Sequence, residues 1–212
     1  MTTTVTVDWY FDYISPFAYL QSQQLGQLPD HVQIRYRPIL FSGLLNHWGQ
    51  LGPVEIERKR DFTYQQVLWL ARRHNIRFTF PPAHPFNPLP ALRLTLAQDS
   101  DPSLVHHLFR KIWAEGRDLS SPDDWRSITD ELSLPDADEM IKQPEIKQQL
   151  HDSTQHAISE GVFGVPTFCA DAELFWGFDS IEMFKDYLSD QTFFADPERV
   201  RLRVLPSSAS RL

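Results

Sequence analysis

Two stretches far apart in the chain combine residue types that could do chemistry. The first is Phe11-Asp12-Tyr13-Ile14-Ser15-Pro16-Phe17-Ala18, in which a serine hydroxyl stands directly before a proline. The second is Gly161-Val162-Phe163-Gly164-Val165-Pro166-Thr167-Phe168, which ends in a proline followed by strand-forming residues. Ser15 suits two roles. As a helix N-cap its oxygen accepts a bond from the first turn, and Pro16 fills the position where a missing N–H costs nothing. As a hydroxyl between a strand's C-terminal edge and a helix N-terminus, it stands where open sheets bind ligands and helix ends favour anions. A serine nucleophile would need a base and an orienting acid, and no Gly-x-Ser-x-Gly elbow is present. A hydrolase is excluded on those grounds.

Thiol chemistry by the chain's own residues is equally restricted. Cys169 is the single cysteine, so neither a Cys-x-x-Cys pair nor an intrachain disulfide can form. It falls in an expected buried strand, where free cysteine behaves as a small hydrophobe. Any reactive thiol would have to arrive with a ligand. Of the eight histidines, His106 and His107 are adjacent and diverge around a helix, while His151 and His156 are five apart. Without a His-Glu-x-x-His or cysteine cluster, no metal site is expected.

The elements that must position these residues follow from periodicity. Val5, Val7, Trp9 and Phe11 alternate as one face of a strand, and a helix is expected over residues 16–28. Val32, Ile34 and Tyr36 alternate again up to Pro38, completing a βαβ unit with a parallel pair. From Leu44 to Gly161 the pattern is almost wholly helical. Pro53 opens one helix, and Asp101-Pro102 and Ser121-Pro122-Asp123-Asp124 start others. A proline-rich connector spans residues 80–90. Residues 166–170 and 173–176 read as a hairpin, and Asp179 with Glu182 as a capping-box-like start to a last helix over residues 181–188. In the tail from Gln191, the final Pro-Ser-Ser-Ala-Ser is expected to fray.

With 42% hydrophobic residues and six tryptophans, 212 residues can build a sizeable core. The net charge of -8 comes without a basic stripe, which argues against nucleic-acid binding. No apolar run approaches the ~20 residues that span a bilayer. Met1-Thr2-Thr3-Thr4 lacks the regions of a signal peptide, so a cytoplasmic protein is expected. The fold class expected is α/β: a thioredoxin-like core of residues 1–43 plus 161–212, interrupted by an inserted helical domain of residues 44–160.

Four motifs in order carry a resemblance over residues 6–188. Phe11-Asp12-x-x-Ser15-Pro16-x-Ala18-Tyr19-Leu20, Phe86-Asn87-x-Leu89-Pro90-Ala91-Leu92-Arg93, Glu115-Gly116-Arg117-Asp118-Leu119 and residues 161–168 resemble 2-hydroxychromene-2-carboxylate isomerases. Those are DsbA-like relatives of kappa-class glutathione transferases. The resemblance implies glutathione as cofactor and a small aromatic-derived carboxylate as substrate, in a family where dimers are common. Ser15 would donate its hydroxyl to the glutathione sulfur and favour the thiolate. Val165, before a cis Pro166, would pair with the ligand backbone as with an added strand. Asp179 and the N–H groups around Ser180 would hold the γ-glutamyl end. Phe178 replaces a polar side chain there, which removes one hydrogen bond. Lys59 would reach the glycyl carboxylate, or is one charge on a solvated helix face. Gln50 replaces an expected asparagine nearby. Asn87 would meet substrate or make an Asx-turn, and Phe17, Tyr19 and Trp48 are candidates for an aromatic wall or plain core. A kappa-like transferase and a non-catalytic binding module are the alternatives.

Overall fold

Residues Val5–Phe11 form β1, which pairs in parallel with β2 (Val32–Pro38) from Val5 opposite Val32 to Phe11 opposite Pro38. β3 (Thr167–Ala170) runs antiparallel on the other side of β1, and β4 (Glu173–Trp176) pairs antiparallel with β3 as the expected hairpin. The structure, a computed structural model describing residues 4–206, thus has one sheet ordered β2-β1-β3-β4. β1 is a central strand covered on both faces. Val7, Trp9 and Phe11 enter the main core, while Tyr10, on the opposite face, is equally buried in a second cluster with Ile39, Leu44 and Val162.

Helix α1 (Pro16–Ser22) follows β1 after a four-residue break and ends earlier than its apolar pattern suggested. Gln24 and Gln27 N–H groups bond three residues back, so the remainder, Leu25–Gln27, tightens into a 3₁₀ turn. α2 (Phe41–Trp48) crosses the junction expected between residues 43 and 44. A 3₁₀ turn over Pro53–Glu55 replaces the helix start expected there, and α3 runs Glu57–Arg73. The proline-rich connector, with a cis His84-Pro85 bond, leads to α4 (Leu89–Ala97) and α5 (Pro102–Trp113). α6 (Pro122–Glu131), α7 (Ala137–Met140) and α8 (Pro144–Ser159) complete the insertion. Its core side chains, including Val67, Leu92, Phe109 and Leu150, form one apolar cluster with Trp9, Phe168 and Phe184 of the sheet and last helices.

α9 (Ile181–Ser189) starts after a 3₁₀ turn, Phe178–Ser180. The expected capping box is absent. Ser180 precedes the helix in a helical conformation without a side-chain cap, and the Asp179 carboxylate has no partner among the described residues. In the tail, α10 (Pro197–Leu202) brings Arg199 and Arg203 onto Glu173, tying the chain to the outermost strand. The fraying expected past Pro206 lies outside the described residues.

Candidate active site

The break between β1 and α1 is organised by side chains that satisfy its backbone. The Asp12 carboxylate accepts the Ile14 N–H at 3.0 Å and the Phe41 N–H at 2.8 Å, so it joins the serine loop to the start of α2. Burial pushes its carboxyl up to about 7, against the opposing pull of those two bonds. Trp113 donates to the Tyr13 carbonyl at 2.8 Å, and the Tyr13 hydroxyl pairs with Thr95 at 2.7 Å. His84 of the connector meets the Ile14 carbonyl at 2.9 Å. The loop is held from three sides.

Ser15 sits at the end of this loop with extended backbone, and its Oγ accepts the Ala18 N–H at 3.2 Å. It is therefore the N-cap its sequence context suggested. The same hydroxyl faces the Val165 carbonyl at 3.4 Å, near the long limit of a hydrogen bond. The Val165-Pro166 bond is cis, and the Val165 N–H has no partner among the described residues. Ser15 and Val165 thus place a hydroxyl, a free N–H and a carbonyl together at the positive end of α1.

A second network fixes the Gly177 loop against this corner. Trp9 Nε1 donates to Gln21 Oε1 at 2.7 Å, Gln21 Nε2 donates to the Gly177 carbonyl at 2.9 Å, and the Gly177 N–H donates to the Pro166 carbonyl at 2.9 Å. Gly177 has φ of 92°, and a Cβ there would lie 2.8 Å from Asp179 Oδ1. The left-handed φ favours glycine, and any side chain there would displace the Asp179 carboxylate.

Between the two lobes lies a cleft of about 630 Å³, within the range of small-ligand sites. Phe17, Val165, Trp176, Phe178, Asp179 and Ile181 line one side, and Thr63, Gln66, Trp69, Leu70 and Arg73 of α3 the other. Trp176 lies across Gly164, where any methyl would overlap its indole nitrogen. Phe178 is buried with its ring centroid 5.1 Å from His74, whose Nδ1 pairs with Gln24.

The model of the DSBA-like thioredoxin domain matches residues 6–189. The chain belongs to the DSBA-like thioredoxin family. This DSBA-like protein is 29% identical over 195 residues to the 2-hydroxychromene-2-carboxylate isomerase of Sphingobium xenophagum, covering 88% of this chain and 100% of the relative. It is 23% identical over 220 residues to glutathione S-transferase kappa 1 of Homo sapiens, covering 94% and 97%. A solved structure of a 2-hydroxychromene-2-carboxylate isomerase shares its fold with a TM-score of 0.78 at 24% identity, covering 93% and 98%.

Of the residues singled out in the sequence, Phe17, Val165 and Asp179 line the cleft of this DSBA-like protein, and Ser15 stands behind Val165. Pro166 anchors the Gly177 loop, and the Ser180 hydroxyl donates to the Gly177 carbonyl at 2.7 Å. Lys59 is exposed one turn before Thr63 on the cleft-lining stripe of α3, past the end of the lining. Gln50 is exposed three residues before Pro53, itself a lining residue. Trp48 and Asn87 are not in the lining. The Trp48 indole donates to the Val162 carbonyl at 2.9 Å, and Asn87 Oδ1 accepts the Leu89 N–H at 3.1 Å in an Asx-turn. Tyr19 is buried, its hydroxyl on the Arg77 carbonyl.

Cys169 lies in β3, and burial, with Glu160 and Asp8 nearby, pushes its thiol up to about 11. It is a core thiol, not a thiolate. Among the described residues no group of three metal-ligating side chains comes together, and no helix is long and apolar enough to cross a membrane. Asp12, His84, Arg73 and Trp176 escaped the sequence reading as site residues. The buried Asp between aromatic residues was the one available signal.

Proposed function

We propose that this protein is a glutathione-dependent isomerase of the 2-hydroxychromene-2-carboxylate type. The observation that carries the reading is the corner formed by Ser15 Oγ, the Val165 N–H and the N-terminus of α1, beside a cleft lined by the Asp179 carboxylate, neither the Val165 N–H nor Asp179 having a partner among the described residues. Those residues fit glutathione. Val165 would take the cysteinyl backbone, Asp179 the γ-glutamyl ammonium, and Lys59 with Gln50 the glycyl end beyond Pro53. The similarity to the isomerases and to a kappa-class transferase supports the same ligand.

When bound, glutathione supplies a thiolate that can add reversibly to an electron-poor conjugated carbon and leave again, so that a double bond becomes single, rotates and is restored. The chain's part is to make and place that thiolate. Ser15 Oγ donates to the sulfur, and the α1 dipole stabilises its negative charge. Phe17, Trp176 and Phe178 supply an apolar wall for an aromatic-derived acid and exclude water, which strengthens both effects. A reaction that uses reduced glutathione fits a reducing cytoplasm.

The test is the thiolate absorbance of bound glutathione against pH, in wild type and in Ser15→Ala. A thiol pKa well below the free value of about 8.5, restored by the substitution, is the expected result. A pKa indifferent to Ser15 leaves that residue as a helix cap alone. Turnover of chromene carboxylates without net loss of glutathione distinguishes the isomerase from a kappa-like transferase.

A further inference from the structure

The far end of the cleft carries opposite charges that do not meet. Asp179 from the Gly177 loop and Arg73 from the last turn of α3 both line it, yet they form no ion pair with each other. The Arg73 guanidinium lies 5.6 Å from the centroid of the Trp69 ring, one turn back on the same helix, within cation–π range. It makes no hydrogen bond or ion pair with any described residue. Its donors are therefore unused by any described residue.

Two other polar side chains of the lining have partners already. Glu182 pairs with Lys185 at 2.8 Å, and His74 with Gln24 at 3.0 Å. The Ser180 N–H is engaged with the Gly177 carbonyl, and Phe178 offers no donor. The Phe178 ring against His74 sets the C-terminal end of α3 beside the Asp179 loop. Lys59 lies fourteen residues back along α3, about 21 Å away, so the two cations cannot reach one ligand group together.

A carboxylate and a guanidinium that line the same cleft, each without a partner among the described residues, complement an α-amino acid zwitterion. We propose that Arg73 binds the α-carboxylate of the γ-glutamyl residue of glutathione, while Asp179 takes its ammonium group. This rests on the glutathione reading and adds a specificity-determining residue from the helical insertion. A planar guanidinium can grip that carboxylate through two parallel N–H bonds.

Titration calorimetry with glutathione, and with its analogue in which the γ-glutamyl α-carboxylate is an amide, tests the assignment. The wild type should prefer glutathione by about tenfold or more. Arg73→Gln should lose that factor for glutathione and bind both ligands alike, and Arg73→Lys should fall between. The thiol pKa of glutathione bound at saturation should not change in Arg73→Gln, because the Ser15 end is untouched. Equal binding of both ligands by the wild type, or a preference that survives Arg73→Gln, overturns the role of Arg73 alone. Failure of the wild type to bind glutathione at all overturns the glutathione reading and this assignment together.

Discussion

His84 Nε2 lies 2.9 Å from the carbonyl oxygen of Ile14, the residue before Ser15. A carbonyl only accepts, so Nε2 carries the proton of the neutral ring, and the Tyr64 hydroxyl lies within reach of both Nδ1 at 2.9 Å and the His84 carbonyl at 3.0 Å. Tyr64 belongs to α3, the helix that forms the cleft wall. One neutral imidazole therefore couples that wall to the loop that aims Ser15.

Burial holds the His84 pKa below its usual value. Between that lowered value and the unfolded value near 6.5 the unfolded chain binds more protons, so stability rises with pH across this interval. Denaturant titrations should show wild-type stability falling as pH drops below about 6.5. His84→Phe should show a shallower acid-side decline, the remainder coming from His106 and His107, which burial also lowers, and should lose roughly 1–2 kcal/mol at pH 7.5 from the two broken bonds. A variant with the wild-type acid slope would remove His84 from the account.

Asp12 should act with the opposite sign. Its folded carboxyl is raised to about 7 from 3.8, chiefly by burial. From pH 4 to 7 the folded state then holds the extra proton, so this contribution is full below about pH 3.8 and is lost as pH rises through 7. The change amounts to about 4 kcal/mol at most. Comparing wild type with Asp12→Asn at pH 4.5 and 8 should show wild type losing ground as pH rises. A stability difference independent of pH would mean the carboxylate stays ionised throughout.

The strands and the Ser15 cap were legible in the sequence because each rests on local chemistry. Alternation marked β1 and β2, and Ser15-Pro16 marked the helix start. The 3₁₀ turns at Leu25–Gln27 and Pro53–Glu55 were not, since their apolar positions also suit an α-helix. Asp179 and Glu182 carry cap-forming residue types, but the turn at Phe178–Ser180 delays the helix by enough to leave that box unmade. Arg73 and His84 were invisible for another reason. His84 meets Tyr64 and Ile14, and Arg73, beyond its local contact with Trp69, shares a cleft with Asp179 only once α3 is packed; local patterns encode neither tertiary arrangement.

Gly164 should be a control point for the cleft. Its Cα is covered by the Trp176 indole, which forms an edge contact with Phe163 at 5.0 Å and lines the ligand wall. Gly164→Ala must push that indole away or shift the Val165 backbone. Glutathione affinity should fall about tenfold or more, with a change in tryptophan fluorescence, while stability drops by about 1–3 kcal/mol. Unchanged fluorescence and affinity would show that the indole has another place to go.

Ser15 serves the helix and, by the proposal, the sulfur, and two substitutions separate these roles. Loss of its bond to the Ala18 N–H in Ser15→Ala should cost about 1 kcal/mol. Glycine is nearly as good an N-cap, so Ser15→Gly should cost only a few tenths of a kcal/mol. Both variants lack the hydroxyl, and both should raise the thiol pKa of bound glutathione to the same extent. If instead that pKa tracks stability, high in Ser15→Ala and near wild type in Ser15→Gly, the α1 dipole alone sets the thiolate. The hydroxyl would then be structural, and catalysis would need no residue at position 15 beyond one that starts the helix.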